Sequence, residues 1–299
     1  MKQKTEILLG LTILFGFITT LAGIFSFDFS DSYEVLNQYG EPVELWGFGI
    51  YAHDSYFKAP ILIGSDWSVL LFLLLPMSWF LLKYKKSGSE KLLLLLTGLL
   101  SALLYYAVSL AIGVAYNRLH LIYILFFSLC FFSFISCLFL LDHKWLKQQQ
   151  ERSLNSRFVH FFLILSGFSI FIAWLPDILS ALISDSPLAM LEIYTTEITY
   201  VIDLAILSPF IFLVLYLVKT DDSRAYTLLP VTALMCTFIG IMVIFQTVMQ
   251  LLAAVDVPLP ALVTKVIVFI LLSFYSSSIS FRYFKHFKQV SDARDPAKP

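Results

Sequence analysis

Apolar residues run along this chain in blocks separated by short charged connections. The blocks lie near residues 7–26, 68–84, 92–115, 119–141, 158–176, 199–218, 228–254 and 261–282. A helix rises about 1.5 Å per residue, so a block of about twenty crosses roughly 30 Å of hydrocarbon. The pattern predicts eight transmembrane helices, because backbone groups in lipid must pair within their own segment. The first block follows Met1-Lys-Gln-Lys-Thr-Glu6 and contains Gly10, Gly16 and Gly23. It is longer than the core of a secretory signal and ends without a small-x-small site, so it reads as a retained first span.

The longest polar interruption, Phe27 to about Trp67, is the one with room for structure. Tyr33-Glu-Val-Leu-Asn37 and Pro42-Val-Glu-Leu-Trp46 flank Gln-Tyr-Gly-Glu, which predicts a short hairpin. Asp54-Ser55 predicts the cap of a short helix running to about Ile63. Tyr51, Tyr56, Phe57 and Trp67 suit the headgroup level. Residues 27–67 are therefore expected to fold as a small extracytoplasmic cap over one mouth of the bundle. Asp177 after Pro176 and Asp256 before Pro258 predict the ends of spans five and seven.

Charge supplies the orientation. Of the 20 lysines and arginines, 17 fall in segments that face the same side if the chain crosses eight times. Loops retained in the cytoplasm carry that excess, which predicts both termini inside. Lys58, Arg118 and Lys265 are the exceptions. Twelve of the 21 acids lie in the segments assigned outside, a solvated acidic face that would also favour cations.

Composition agrees: 59% hydrophobic residues, 14% charged residues and a mean hydropathy of +0.83 exclude an ordinary soluble domain. Cys130, Cys137 and Cys236 lie inside apolar blocks, so no disulfide framework is implied. A net charge of −1 without a basic, aromatic-studded stripe gives no sign of a nucleic-acid partner. No phosphate-binding, dinucleotide, nucleophile-elbow or zinc-protease motif occurs, and no cofactor or metal is expected.

Charges within the hydrocarbon are costly and therefore paired, hydrated or functional. Asp203 lies about four residues into span six, Lys265 about as deep in span eight, and Gln246 and Gln250 share one face of span seven. Pro209 follows Asp203 and removes a backbone donor. These residues predict an outward-facing polar pocket between spans six, seven and eight. Asp203 would be its anionic centre, Lys265 the counter-ion and the glutamines its hydrogen-bonding walls. Snorkelling of Lys265 and glutamine-mediated helix packing are the plainer readings. Arg118, in the turn Tyr116-Asn-Arg-Leu-His120, would tie that turn to the acidic cap or meet an external anion. Thr195, Thr196 and Glu197 would cap span six or line the mouth above Asp203. The serines 273, 276, 277, 278 and 280 would permit close helix approach rather than chemistry.

The chain is expected to form one polytopic domain. The order of spans and connections is repeated across 1–142 and 158–283, as a tandem duplication would produce. The separations Asp66–Pro76 and Asp203–Pro209 differ, ten residues against six, which makes the echo faint. At Gly49-Ile-Tyr-Ala-His-Asp-Ser55, Ala115-Tyr-Asn-Arg-Leu-His-Leu-Ile-Tyr123, and Thr195-Thr196 through Asp203 to Pro209, the chain resembles a group of uncharacterised bacterial multi-pass membrane proteins. That group has a hydrophobic residue in place of His120. The resemblance implies a bacterial cytoplasmic membrane protein and lends no activity.

The expectation is an all-α integral membrane protein in contact with the bilayer that recognises or transports a small ligand from the extracytoplasmic side. Two other roles fit the same residues. One is a membrane-embedded enzyme on a lipid-like substrate, with Asp203 as acid or base; the other is an accessory or assembly subunit whose cap docks a protein partner.

Overall fold

The computed structural model describes residues 2–28, 31–188, 190–256 and 266–287. Nine helices form among them: α1 (Lys2–Ile24), α2 (Lys58–Ser87), α3 (Glu90–Gly113), α4 (His120–Leu140), α5 (His143–Gln149), α6 (Arg157–Ser184), α7 (Ile198–Lys219), α8 (Ala225–Leu252) and α9 (Val268–Lys285). Seven of these, all but α5 and α9, are long and apolar enough to cross a membrane. The protein is an all-α, multi-pass membrane protein. Large apolar side chains such as Leu82, Phe139, Ile172 and Phe281 stand exposed on the flanks of the bundle, where lipid replaces water as the solvent.

The hairpin forms as predicted. β1 (Tyr33–Leu36) pairs antiparallel with β2 (Pro42–Leu45), with Val35 opposite Val43. Gly40 turns the chain at φ +79°, a left-handed conformation that a Cβ would strain. Trp46 is fully buried beneath the hairpin and donates its indole N–H to Ser26 O at 2.8 Å, fixing the cap on the end of α1.

Three boundaries differ from the sequence reading. The short helix expected from Asp54-Ser55 is the start of α2, so the cap ends near Phe57 and the second span begins ten residues before position 68. Asp66 accounts for the difference, because a charge that hydropathy treats as a boundary lies inside the helix bundle, fully buried. Helix α6 runs through Pro176 to Ser184 and stops where Asp185 takes a left-handed φ of +48°. Asp177 therefore does not end the span; it accepts a hydrogen bond from Tyr200 Oη at 2.7 Å. Helix α8 ends at Leu252, short of Asp256. Residues 257–265, with Lys265, lie outside the described residues.

Two helices share a local irregularity. Residues Leu70–Leu74 of α2 and Asp203–Leu207 of α7 form wide turns. Each is closed by an N–H five residues beyond its carbonyl: Leu75 to Leu70 in α2 and Ser208 to Asp203 in α7. A proline follows at once in both, Pro76 and Pro209. Proline removes a donor and crowds the preceding turn, and a wide turn reassigns the carbonyls left behind.

Small residues set the helix crossings. A Cβ on Gly64 of α2 would sit 2.6 Å from Gln246 Cα of α8, and one on Gly240 of α8 would sit 2.1 Å from Ser273 Cβ of α9. Ser273 Oγ donates to Thr237 O at 2.8 Å, and Ser276 and Thr237 share a 2.9 Å hydrogen bond. These serines act as contact surfaces between helices, in keeping with close backbone approach in a medium without a hydrophobic driving force. Helix α8 is thereby packed against both α2 and α9.

Candidate functional site

The wide turn in α7 opens with Asp203, which is 2% exposed. Its Oδ1 accepts from Tyr105 Oη of α3 at 3.1 Å, and its Oδ2 from Trp174 Nε1 of α6 at 2.8 Å. The Trp174 ring stacks on Tyr200 at 4.7 Å between centroids and lies 6.1 Å from Phe269 of α9. An aspartate thus sits at the head of an aromatic wall built by four helices.

On the opposite wall, the Gly64 contact brings α8 against α2. Gln246 Nε2 donates to Ser65 Oγ at 2.8 Å. One turn closer to the cap, Gln250 Nε2 donates to Phe57 O at 3.3 Å. Between the walls lies a cavity of about 300 Å³, lined by residues of α2, α3, α6, α7 and α8 together with Val266 and Phe269.

The mouth is closed over by the cap and the segment joining α6 to α7. Lys58 Nζ pairs with Glu197 at 3.3 Å, both side chains only 13–14% exposed, and sits 3.9 Å from the centre of the Tyr194 ring. Glu192, held at φ +52°, accepts a short hydrogen bond from Ser55. Asn37 and Gln38 of the hairpin donate to the carbonyls of Glu192 and Tyr194 at 3.2 and 3.1 Å. Asp54 is fully buried; its Oδ1 accepts from Ala115 N and from Tyr194 Oη, both at 2.8 Å. Its Oδ2 has no hydrogen-bond partner among the described residues.

Electrostatics at this mouth follow from burial. Desolvation pushes the Asp54 carboxyl up to about 7, against the opposing pull of Ala115 N–H, Tyr194 Oη and the Lys58 charge. Burial also raises Glu192, opposed by Ser55 and Lys58. The Tyr194 phenol is raised by burial and by the adjacent Asp54.

Of the six residues singled out from sequence, Asp203, Gln246, Gln250 and Glu197 line this one cavity. Glu197 stands at the start of α7 but makes no capping hydrogen bond; its carboxylate turns to Lys58 instead. Arg118 is exposed on the turn between α3 and α4 and does not line the cavity. That turn is tied to the cap by the backbone of Ala115 through Asp54, with Asn117 Oδ1 accepting from Leu119 N inside the turn. Lys265 lies outside the described residues. The cavity is also wider than three helices, because α2, α3 and α6 contribute walls.

The donors to Asp203, Tyr105 and Trp174, were not singled out from sequence, nor were Tyr200 and Ser65. A tyrosine pair in the middle of an apolar block, Tyr105-Tyr106, was the available signal. Tyr106 donates a short hydrogen bond to Asp66, so adjacent tyrosines of α3 serve two of the three aspartates buried among the described residues, one each. No protein-family model, curated protein or solved structure matches the chain.

Proposed function

We propose that this chain is an eight-span protein of a bacterial cytoplasmic membrane, with both termini in the cytoplasm and the cap outside, and that it binds a small ligand in the cavity beneath the cap. The lysine and arginine asymmetry supports the orientation. On this reading the apolar block 261–282, whose described residues 266–282 fall largely in α9, would be the eighth crossing. Like-placed wide turns before Pro76 and Pro209 support descent of 1–142 and 158–283 from one duplicated unit.

One observation carries the binding reading. A buried carboxylate, two glutamine amides and the Lys58–Glu197 pair converge on a single cavity of about 300 Å³ with an aromatic wall. Binding sites are concave, largely apolar and furnished with a few convergent polar groups. The cavity has each of these features. Whether the bound ligand is then passed across the bilayer or only sensed, Asp203 is the residue on which its recognition turns.

The test is a thermal-stability screen of small ligands on the detergent-purified protein, run in parallel on Asp203→Asn. A ligand that stabilises the parent and not the variant supports the site. Ligands that stabilise both equally, or a screen in which Asp203→Asn and the parent behave identically throughout, count against it. A reporter active only outside the cell, fused after Gln149, is expected to be silent; activity there overturns the orientation.

A further inference from the structure

We infer that the corner where the start of α1 meets the end of α2 is a docking surface for an anionic phospholipid, its headgroup held by lysines and its acyl chains laid along two apolar stripes. The cavity and its ligand play no part in this inference. On the orientation proposed above, the leaflet is the cytoplasmic one.

Charge marks the place. Lys2 and Lys4 open α1, and Lys83, Lys85 and Lys86 lie at the end of α2. The two ends meet: Lys2 Nζ stands 2.7 Å from where a Cβ on Gly88 would be. All five lysines are exposed, and none forms an ion pair with an acid among the described residues. The acids nearest in sequence are Glu6 and Glu90, and Glu90 Oε2 accepts from Asp142 N at 3.3 Å. Residues 288–299, outside the described residues, bring Lys288, Arg294 and Lys298 against Asp292 and Asp295, which does not reverse the sign. Elsewhere at this end of the bundle, Lys147 pairs with Asp221 at 2.6 Å and Arg224 with Asp222 at 2.7 Å. Crowded like charges repel, and an anion placed among them relieves the repulsion.

The apolar surface next to these lysines belongs to lipid. On α1, Ile7, Leu11, Leu14, Ile18 and Leu21 are exposed at alternating spacings of four and three, a single stripe that begins one turn after Lys4. On α2, Leu75, Trp79 and Leu82 form a second stripe, which runs out at Lys83 and Lys86. Lys83 Nζ lies 3.6 Å from the centre of the Trp79 ring, and a tryptophan one turn short of a lysine suits the headgroup level. The helices pack side by side, since a Cβ on Gly16 of α1 would sit 2.6 Å from Leu74 Cδ2 of α2.

The continuity of the two surfaces selects the occupant. A soluble phosphate would use the lysines alone, and an acidic protein would not reach stripes immersed in hydrocarbon. A phospholipid with a net negative headgroup uses both. Each lysine beside anionic headgroups contributes about fivefold in affinity.

The experiment titrates the full-length protein, in a neutral detergent, with phosphatidylglycerol or phosphatidylcholine of identical acyl chains, and counts bound lipid by native mass spectrometry. Phosphatidylglycerol is expected to bind at least about tenfold more tightly, a preference that shrinks severalfold as salt is raised. Lys83→Gln with Lys85→Gln and Lys86→Gln is expected to weaken phosphatidylglycerol by about tenfold or more and to leave phosphatidylcholine unchanged. These side chains are exposed and unpaired among the described residues, so the variant is expected to unfold with the parent. Lys144→Gln with Lys147→Gln and Arg224→Gln removes as much charge elsewhere at the same end, and is expected to change either affinity by less than about threefold. Equal binding of the two lipids, no loss in the first variant, or equal losses in both variants overturns the inference. Displacement of the lipid by equimolar inorganic phosphate or polyglutamate also overturns it, since neither carries acyl chains. Every arm is read in detergent, so a reversed topology would change the leaflet and not the outcome.

Discussion

Asp66 and Asp203 invite comparison because their chemistry is nearly the same and their surroundings are not. Each is buried in a helix that widens ahead of a proline, and each accepts hydrogen bonds from two aromatic side chains. Neighbouring tyrosines of α3 reach one to each. Around Asp66, however, the described residues pack closely. Tyr51 from the cap donates to Oδ2 at 2.9 Å, and the bare backbone of Gly23 lies so close that a Cβ there would fall 1.7 Å from the same oxygen. Asp203 instead lines the cavity. A buried carboxyl group is a clamp where protein fills the space around it, and at Asp203, where space has been left, it is the group proposed to bind.

That contrast can be broken most severely at the Asp66 end. Gly23→Ala drives a methyl into the carboxyl group, and overpacking of this kind costs about 1–3 kcal/mol, with loss of a buried hydrogen bond in addition. Asp66→Ala strands the hydroxyls of Tyr51 and Tyr106, each worth about 1–3 kcal/mol when left unpaired. Both variants are expected to lower the unfolding temperature in detergent by many degrees; a change within the error of the parent would show that the cluster is not a clamp.

The next largest effect concerns the cap. Asp54 titrates near 7 in the fold against 3.8 for a free aspartate, raised by burial. A raised carboxyl stabilises the protonated fold: its contribution is complete below pH ~4 and is lost progressively as pH rises through 7. Tyr194, Glu192 and Lys58 face the same group, and the two titratable acids among these neighbours, Glu192 and Tyr194, are shifted in the same direction as Asp54. Amide exchange in 33–57 is therefore expected to quicken between pH 4 and 7, once the intrinsic pH dependence of exchange is removed. Asp54→Asn is expected to flatten that dependence. A profile unchanged by the substitution would remove Asp54 as its source.

The smallest effect on stability is expected at Asp203 itself. Asp203→Ala leaves Tyr105 Oη and Trp174 Nε1 beside a cavity that water can fill, so the cost is about 1 kcal/mol or less. Its consequence for ligand response is the opposite extreme, complete loss. If Asp203→Ala unfolds the protein as readily as Asp66→Ala, the two aspartates are equivalent clamps and the distinction between them collapses.

Much of this architecture is written in the pattern of apolar residues. Backbone satisfaction in lipid leaves long helices as the outcome for such blocks, and the alternation around Gly40 leaves little besides a hairpin. The errors came where packing overrides hydropathy. Asp66 looks like a boundary and is an interior residue, because two tyrosines distant in sequence receive it. Pro176 looks like a stop, yet φ near −65° is helical, and the single lost hydrogen bond is tolerated inside a long span. The cavity was legible through its rare polar residues, Asp203, Gln246, Gln250 and Glu197. Its aromatic half was not. Trp174, Tyr200 and Phe269 are indistinguishable from lipid-facing residues until the rotation of each helix is known.

The wide turn at Asp203–Leu207 makes that rotation a matter of arithmetic. It holds one residue more than an α-helical count, so everything on its far side is displaced by about 100° relative to an uninterrupted helix. Length, as well as composition, is therefore a variable at this position. Deleting Ile206 would preserve every described side chain that lines the cavity and still re-aim Asp203 and Tyr200 together. A single surplus residue, invisible to any count of apolar and polar positions, sets how Asp203 and Tyr200 are turned relative to the rest of α7.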